Sequence, residues 1–116
     1  LVGHLAWAED LLILKGTHGI ASANPWLQRF QFGEAQHIDE ALSFQELKLG
    51  AQEIHLAAMA HLQTLTDADL DKPNAQNFGF GQEPTNQLIL MHFIRHLGTH
   101  IGHLSWLCKL HGVKSV

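Results

Sequence analysis

Apolar positions recur along the chain at the three-to-four-residue spacing of α-helices, and no stretch shows the two-residue alternation of a strand. Over residues 1–16, His4, Trp7, Leu11 and Leu14 fall at i, i+3, i+7 and i+10 and line one helical face. Leu1, Leu5, Ala8 and Leu12 form a second apolar stripe beside it, and Gly16 and Gly19 supply the stop signal. A central helix is predicted over about 38–65, with Phe44, Leu47, Ala51, Ile54, Ala58, Leu62 and Leu65 on one stripe. Asp39 and Ser43 are its candidate caps, and Ser43 precedes Glu46 at capping-box spacing. Gly50 weakens the middle of this helix by about 1 kcal/mol relative to Ala. A C-terminal helix is predicted from Thr85 or Asn86, as the cap, to about Leu110, with Gly112 just past its end.

Two long connections separate these helices. Residues 17–37 contain the turn signal Asn24-Pro25 and the aromatic residues Trp26, Phe30 and Phe32. Aromatic packing accounts for such a cluster, and a connection this long also suits the cover of a site or an interface. The run from Thr66 to Pro73 ends the central helix, and Gly79, Gly81 and Pro84 keep the following chain irregular. Phe78-Gly79-Phe80-Gly81 reads as a turn, having neither the lysine nor the strand-to-helix context of a phosphate-binding loop.

Amphipathic helices of this length on so short a chain pack side by side as a bundle, so the expectation is one all-α domain over 1–116. The N- and C-terminal helices are apolar over well more than a third of their circumference. A fourth helix is expected to cover them, from upstream or from a second subunit. The chain begins at Leu1, already inside a helical pattern, which suggests a fragment or a processed chain.

Composition narrows the function. The chain has 116 residues, 46% of them hydrophobic and 16% charged, as an ordinary globular domain has. Its longest strongly apolar runs, Leu11–Leu14 and Leu88–Met91, fall far short of the roughly 18 residues of a bilayer span, so no membrane partner is expected. A formal charge of −4 and the lack of a Lys/Arg cluster argue against nucleic acid. With Cys108 alone no intrachain disulfide forms, and a cytoplasmic protein is the modest inference. Histidine is the anomaly: there are ten, against seven Lys and Arg together.

Five of the ten lie in or just beyond the C-terminal helix, at positions 92, 96, 100, 103 and 111. On a helical wheel Leu90, Phe93, Ile94, Leu97, Ile101, Leu104 and Cys108 centre the apolar face, with His100 inside its edge and His96 at its border. Spaced i, i+4, these two imidazoles stack one turn apart, close enough to bind one metal ion. His4 shares the inward stripe of the N-terminal helix. A lone histidine on an apolar face is commonly a hydrogen-bonded core residue, but three unpaired inward histidines are costly, and one divalent cation satisfies them all.

The stretch His96-Leu97-Gly98-Thr99-His100-Ile101-Gly102-His103-Leu104, followed by Leu107 and Leu110-His111-Gly112, resembles the closing helix of the DinB/YfiT-like family of metalloenzymes. That signature is a histidine, three residues, a histidine, then a small residue, Gly-Gln-Leu and a final Gly. Leu1-Val2-Gly3-His4-Leu5-Ala6-Trp7 is similar to the family's second helix, which contributes the first metal histidine. The likeness spans almost the whole chain. It implies an up-and-down four-helix bundle whose first helix is missing from this sequence, with His4, His96 and His100 as metal ligands. His103 departs from the pattern, standing where glutamine is usual; its wheel position favours a solvated residue. His92, one turn before His96, is a candidate extension of the cluster.

Zinc, nickel and iron all suit imidazole, and the sequence does not choose among them. Asp10, Glu46 and Glu53 are candidates for fixing the imidazole tautomers, although surface salt-bridging roles suit each of them better. Three histidines with an open position suit a catalytic site, which lowers the pKa of water to about 7, polarises a substrate oxygen or favours a thiolate. Cys108 falls away from the histidine edge, so a reacting thiol is expected to come from a co-substrate. The resemblance implies a thiol-dependent S-transferase or a hydrolase acting on a small molecule, with a low-molecular-weight thiol as a further partner. The alternatives are a non-catalytic metal- or ligand-binding bundle and a structural helical dimer with packing or pH-sensitive histidines. Gly98 and Gly102 are spaced for close helix approach in a homodimer.

Overall fold

The computed structural model describes residues 1–33, 42–76 and 83–114. Helix α1 (Val2–Glu9) runs directly into a π-helix over Asp10–Lys15, and a 3₁₀ turn follows at Leu27–Phe30. Helix α2 spans Phe44–Leu62, the one-turn helix α3 spans Asp67–Leu70, and helix α4 spans Asn86–Leu110. The described residues contain no strand, only an isolated bridge between Pro73 and Thr85, so the fold is all-α.

The caps are those the side chains dictate. Ser43 and Glu46 form a capping box at the start of α2, and Thr66 and Asp69 form another at α3. Thr85 Oγ1 accepts the Leu88 N–H at 3.2 Å to open α4. At the other end Gly112 takes φ +67°, and Val113 N–H donates to Cys108 O at 2.8 Å while Gly112 N–H donates to Lys109 O at 3.1 Å. These are the two bonds of a Schellman stop. Helix α2 ends at Leu62, three residues before the expected end; the proposed start at 38–41 and the Phe78–Gly81 turn lie outside the described residues.

Two apolar clusters hold the elements together. Ala8, Leu12, Ile13 and Leu14 meet Ala58 of α2 and Ile89 and Phe93 of α4. Ala6 meets Trp26, Leu27 and Ile54, with Phe30 packed alongside, and Trp7 joins both clusters. The 17–37 connection thus supplies core through Trp26 and Leu27, while Phe32 is exposed. Polar ties reinforce the packing: His55 Nδ1 lies 2.8 Å from Glu9 Oε1, joining α2 to α1. His61 Nε2 donates to Thr17 Oγ1 at 2.7 Å, since that hydroxyl spends its own proton on Ile13 O.

Helix α4 is docked by a buried polar clamp. Asn74 Nδ2 donates to Asn86 Oδ1 at 3.1 Å and lies 3.4 Å from Leu12 O. Asn86 Nδ2 donates to Asp69 O at 2.8 Å, and backbone bonds Asn74 N to Pro84 O, Asn86 N to Lys72 O and Ala75 N to Gly16 O close the junction. Gly16 permits this approach, because a Cβ there would collide with Leu12 O and with the Asn74 amide.

The buried stripe of α4 differs from the expected one. Ile89 and Phe93 are buried and Leu90 half-buried, but Ile94 is 63% exposed, Ile101 56% and Leu104 48%. A helix of this length runs about 37 Å, and the N-terminal helical segment it packs against is little more than half as long. The buried face is therefore the Ile89, Phe93, His96 and His100 stripe, rotated from the apolar centre, and the second half of α4 extends beyond its neighbours.

Asn86→Ala would strand the Asn74 amide and the Asp69 carbonyl. It is expected to lower the stability by about 1–3 kcal/mol, read as a lower urea midpoint by circular dichroism with the helical signal of the native state retained.

Candidate metal centre

The α4 docking carries His96 and His100 across to His4 on α1. The Nε2 atoms of His4 and His96 lie 3.2 Å apart, and those of His96 and His100 lie 3.0 Å apart. One ligand atom from each of the three residues falls within 4.8 Å of the others, and all three side chains are half-buried. The sequence-expected trio is thus brought together. Ring planes meet edge to face, with centroids 5.1 Å apart for His4 and His96 and 4.5 Å for His96 and His100.

Hydrogen bonding alone does not satisfy this cluster. His4 Nδ1 lies 3.1 Å from the Phe30 carbonyl, which only accepts, so Nδ1 carries the proton and Nε2 presents its lone pair inward. His96 Nε2 faces two imidazole nitrogens at once, and a neutral ring nitrogen either donates once or accepts once. If it donates to His4 it has nothing to accept a proton from His100. The Nδ1 atoms of His96 and His100 are buried without hydrogen-bond partners, so no outer group fixes their tautomers the other way.

A divalent cation would resolve the conflict. Tetrahedral coordination at 2.0–2.1 Å spaces ligand atoms about 3.3 Å apart, close to the two separations observed. The residues fit such an ion. Burial pushes His96 from its ordinary 6.5 down to about 4, with repulsion from His100, His4 and His92 acting in the same direction. Burial also lowers His100, aided by His4 and His103. Both imidazoles are consequently neutral at neutral pH, the form that donates to a metal.

The surroundings orient the first histidine closely. Trp7 stacks on the His4 ring with centroids 5.6 Å apart. Gly3 lies directly beneath the Phe30 ring, where a Cβ would come within 2.5 Å, and this contact sets the Phe30 carbonyl against His4. Backbone carbonyl and stacked indole are therefore the outer contacts of His4, and sequence reasoning missed the carbonyl; Gly3 beside His4 was its only trace. None of the acids proposed for that role serves it. Asp10 is buried, accepts the Ser22 N–H at 2.6 Å and is ion-paired with Lys15 Nζ at 3.1 Å, Glu46 is committed to Ser43, which lowers its pKa, and Glu53 is exposed.

His92 stacks on His96 at 6.0 Å, and burial followed by the Arg95 charge lowers its pKa. His103 is exposed and touches His100 only ring to ring, at 5.5 Å. Cys108 is half-buried, two helical turns beyond His100. A cavity of about 550 Å³ opens beside the trio, bounded by His4, Trp7, Leu11, Gln31, His92 and His96 among others. No helix among the described residues is long and apolar enough to cross a membrane.

Comparison with protein families, with curated proteins and with solved structures finds no match for this chain.

The lowered His96 pKa has a stability consequence of definite sign. Between pH 6.5 and about 4 the unfolded chain binds a proton that native His96 refuses, so the metal-free protein loses stability as the pH falls through this window. Thermal melts of metal-free protein at pH 7 and pH 5 are expected to show a larger loss for the wild type than for His96→Gln.

Proposed function

We propose that His4, His96 and His100 hold one divalent ion and that the chain acts as a metal-dependent enzyme on a small molecule, a thiol-dependent S-transferase or a hydrolase. The observation that carries the reading is the convergence of three Nε2 atoms with separations of 3.0 and 3.2 Å about His96. It agrees with the ligand set implied by the resemblance to the DinB/YfiT-like family. An ion held by three imidazoles keeps a coordination position open, where it acts as a Lewis acid toward a substrate oxygen or favours the thiolate of an incoming thiol. Zinc, nickel and iron all suit the donor set.

The protein's own part is to hold and orient. Phe30 O fixes the His4 tautomer, Trp7 fixes its ring plane, and the Ile89 and Phe93 contacts seat the helical turn that carries His96. The cavity beside the ligands admits a small molecule. In the same reading, a further helix laid against Ile94, Leu97, Ile101 and Leu104 completes an up-and-down four-helix bundle, since that apolar stripe of α4 is otherwise largely exposed.

One observation favours a second reading, a metal- or ligand-binding bundle without catalysis. Among the described residues, no Asp or Glu lines the cavity beside the trio, and none of the described carboxylates is placed there to move a proton.

Metal content and turnover separate these readings. Protein loaded with zinc or nickel and then desalted is expected to retain about one ion per chain, and His4→Ala or His96→Ala to retain essentially none while remaining folded. At free metal a hundredfold above Kd the ion adds about 2.7 kcal/mol of stability, which chelation removes. Metal-dependent consumption of a thiol together with an electrophile supports the transferase. Stoichiometric metal without turnover across thiol, electrophile and amide panels supports the binder, and unchanged stability on chelation with no retained metal overturns the site.

A further inference from the structure

The cavity beside the trio has a composition that bears on what enters it. Trp7, Leu11, Leu12 and Phe32 supply its walls, Gln31 and His92 its uncharged polar positions, and among the described residues none lining it is Asp, Glu, Lys or Arg. Its volume of about 550 Å³ is in the range of small-ligand pockets. Trp7 is half-buried, Leu12 buried and Leu11 half-buried, so the inner wall is a fixed surface, while Phe32, 86% exposed, forms the outer rim.

Charge at the two ends of this cavity is unequal. Histidine binds a metal through a neutral ring nitrogen, so three of them would leave the full double positive charge of a divalent ion uncompensated, and none of the described lining residues is a carboxylate that offsets it. A ligand that brings one negative charge to the ion is therefore favoured. A second formal charge on the body of the ligand would be partly desolvated against Trp7 and Leu11, with no opposite charge among the described lining residues to meet it, which is costly. The apolar walls instead gain from an apolar or aromatic body.

Resting on the three-histidine metal reading, we infer that the ligand of this site is a small molecule with one compact anionic metal-binding group and an uncharged, apolar or aromatic body lying between Trp7, Leu11 and Phe32. This assigns Trp7, Leu11 and Phe32 as specificity-determining residues. They contact the body of the ligand and leave the metal-binding group to the ion.

Hydroxamates of increasing bulk test the assignment on the cobalt-loaded protein, read from the visible absorption of the ion rather than from activity. Benzohydroxamate is expected to bind about tenfold tighter than acetohydroxamate, reflecting partial burial of the ring. A carboxylate placed at the far edge of the ring is expected to abolish that advantage. Leu11→Gln and Phe32→Ala should each reduce the advantage of the ring to about threefold or less while leaving acetohydroxamate affinity and cobalt stoichiometry unchanged. Phe32→Ala, at an exposed position, tests the wall independently of any folding defect in Leu11→Gln. Equal affinities for the two hydroxamates, or an undiminished preference in both variants, overturns the apolar-body assignment while the metal site stands. Failure to bind cobalt overturns the metal reading and this inference with it.

Discussion

The candidate site depends on a polar junction some distance from it, where Asn74 and Asn86 are buried against each other. Helix α4 touches the N-terminal helical segment only along its first half, through Ile89 and Phe93, and an apolar contact of two side chains leaves rotation and sliding poorly determined. The paired amides remove that freedom. Asn86 is the first residue of α4, and its side chain and backbone bond both Asn74 and the α3 turn, which fixes where the helix starts. His96 and His100 stand 10 and 14 residues further on, a rise of about 15 and 21 Å. A shift of one residue at Asn86 would rotate both imidazoles by about 100° and carry them away from His4.

The trio itself is a frustrated arrangement that one divalent cation would satisfy. Three imidazoles placed nitrogen to nitrogen gain at most one hydrogen bond where two close contacts exist, and burial disfavours protonation of His96 and His100. The same desolvation that costs stability in acid keeps the lone pairs available at neutral pH. Stability in acid and the availability of these lone pairs thus share one cause, the burial of His96 and His100.

The legible part of the sequence was the part written in side chains of regular helices. The i, i+4 spacing of His96 and His100, the inward stripe containing His4, and the caps at Ser43, Thr85 and Gly112 all follow from local periodicity and side-chain chemistry, and all are present. The face of α4 was misjudged because it carries two apolar stripes, and a wheel weights them equally. Only tertiary contact tells that Ile89 is buried while Ile101 is exposed. The Phe30 carbonyl was illegible for a different reason: every residue has one, and its position depends on the ring of Phe30 resting on Gly3. The cross-helix ties of His55 and His61 were likewise hidden, because their partners Glu9 and Thr17 are distant in sequence.

The π-helix at Asp10–Lys15 shows how one buried acid reshapes the helical segment that continues from His4. Asp10 is 1% exposed, and leaving a carboxylate there unpaired would be prohibitive. The cation available on the same element is Lys15, five residues on, which in a regular α-helix lies about 140° around the axis and out of reach. The wider turn, with Gly16 N–H bonded to Leu11 O and Gly19 N–H to Leu14 O, is the geometry that brings position i+5 back over position i, and the ammonium stands 3.1 Å from the carboxylate. The backbone departure and the ion pair therefore account for each other. The segment so widened also presents Leu11 to the cavity and the Leu12 carbonyl toward Asn74. A single buried acid, discarded as a direct contact of the imidazoles, acts on the site through the backbone it distorts: it sets both the wall beside His4 and one of the groups by which α4 is clamped.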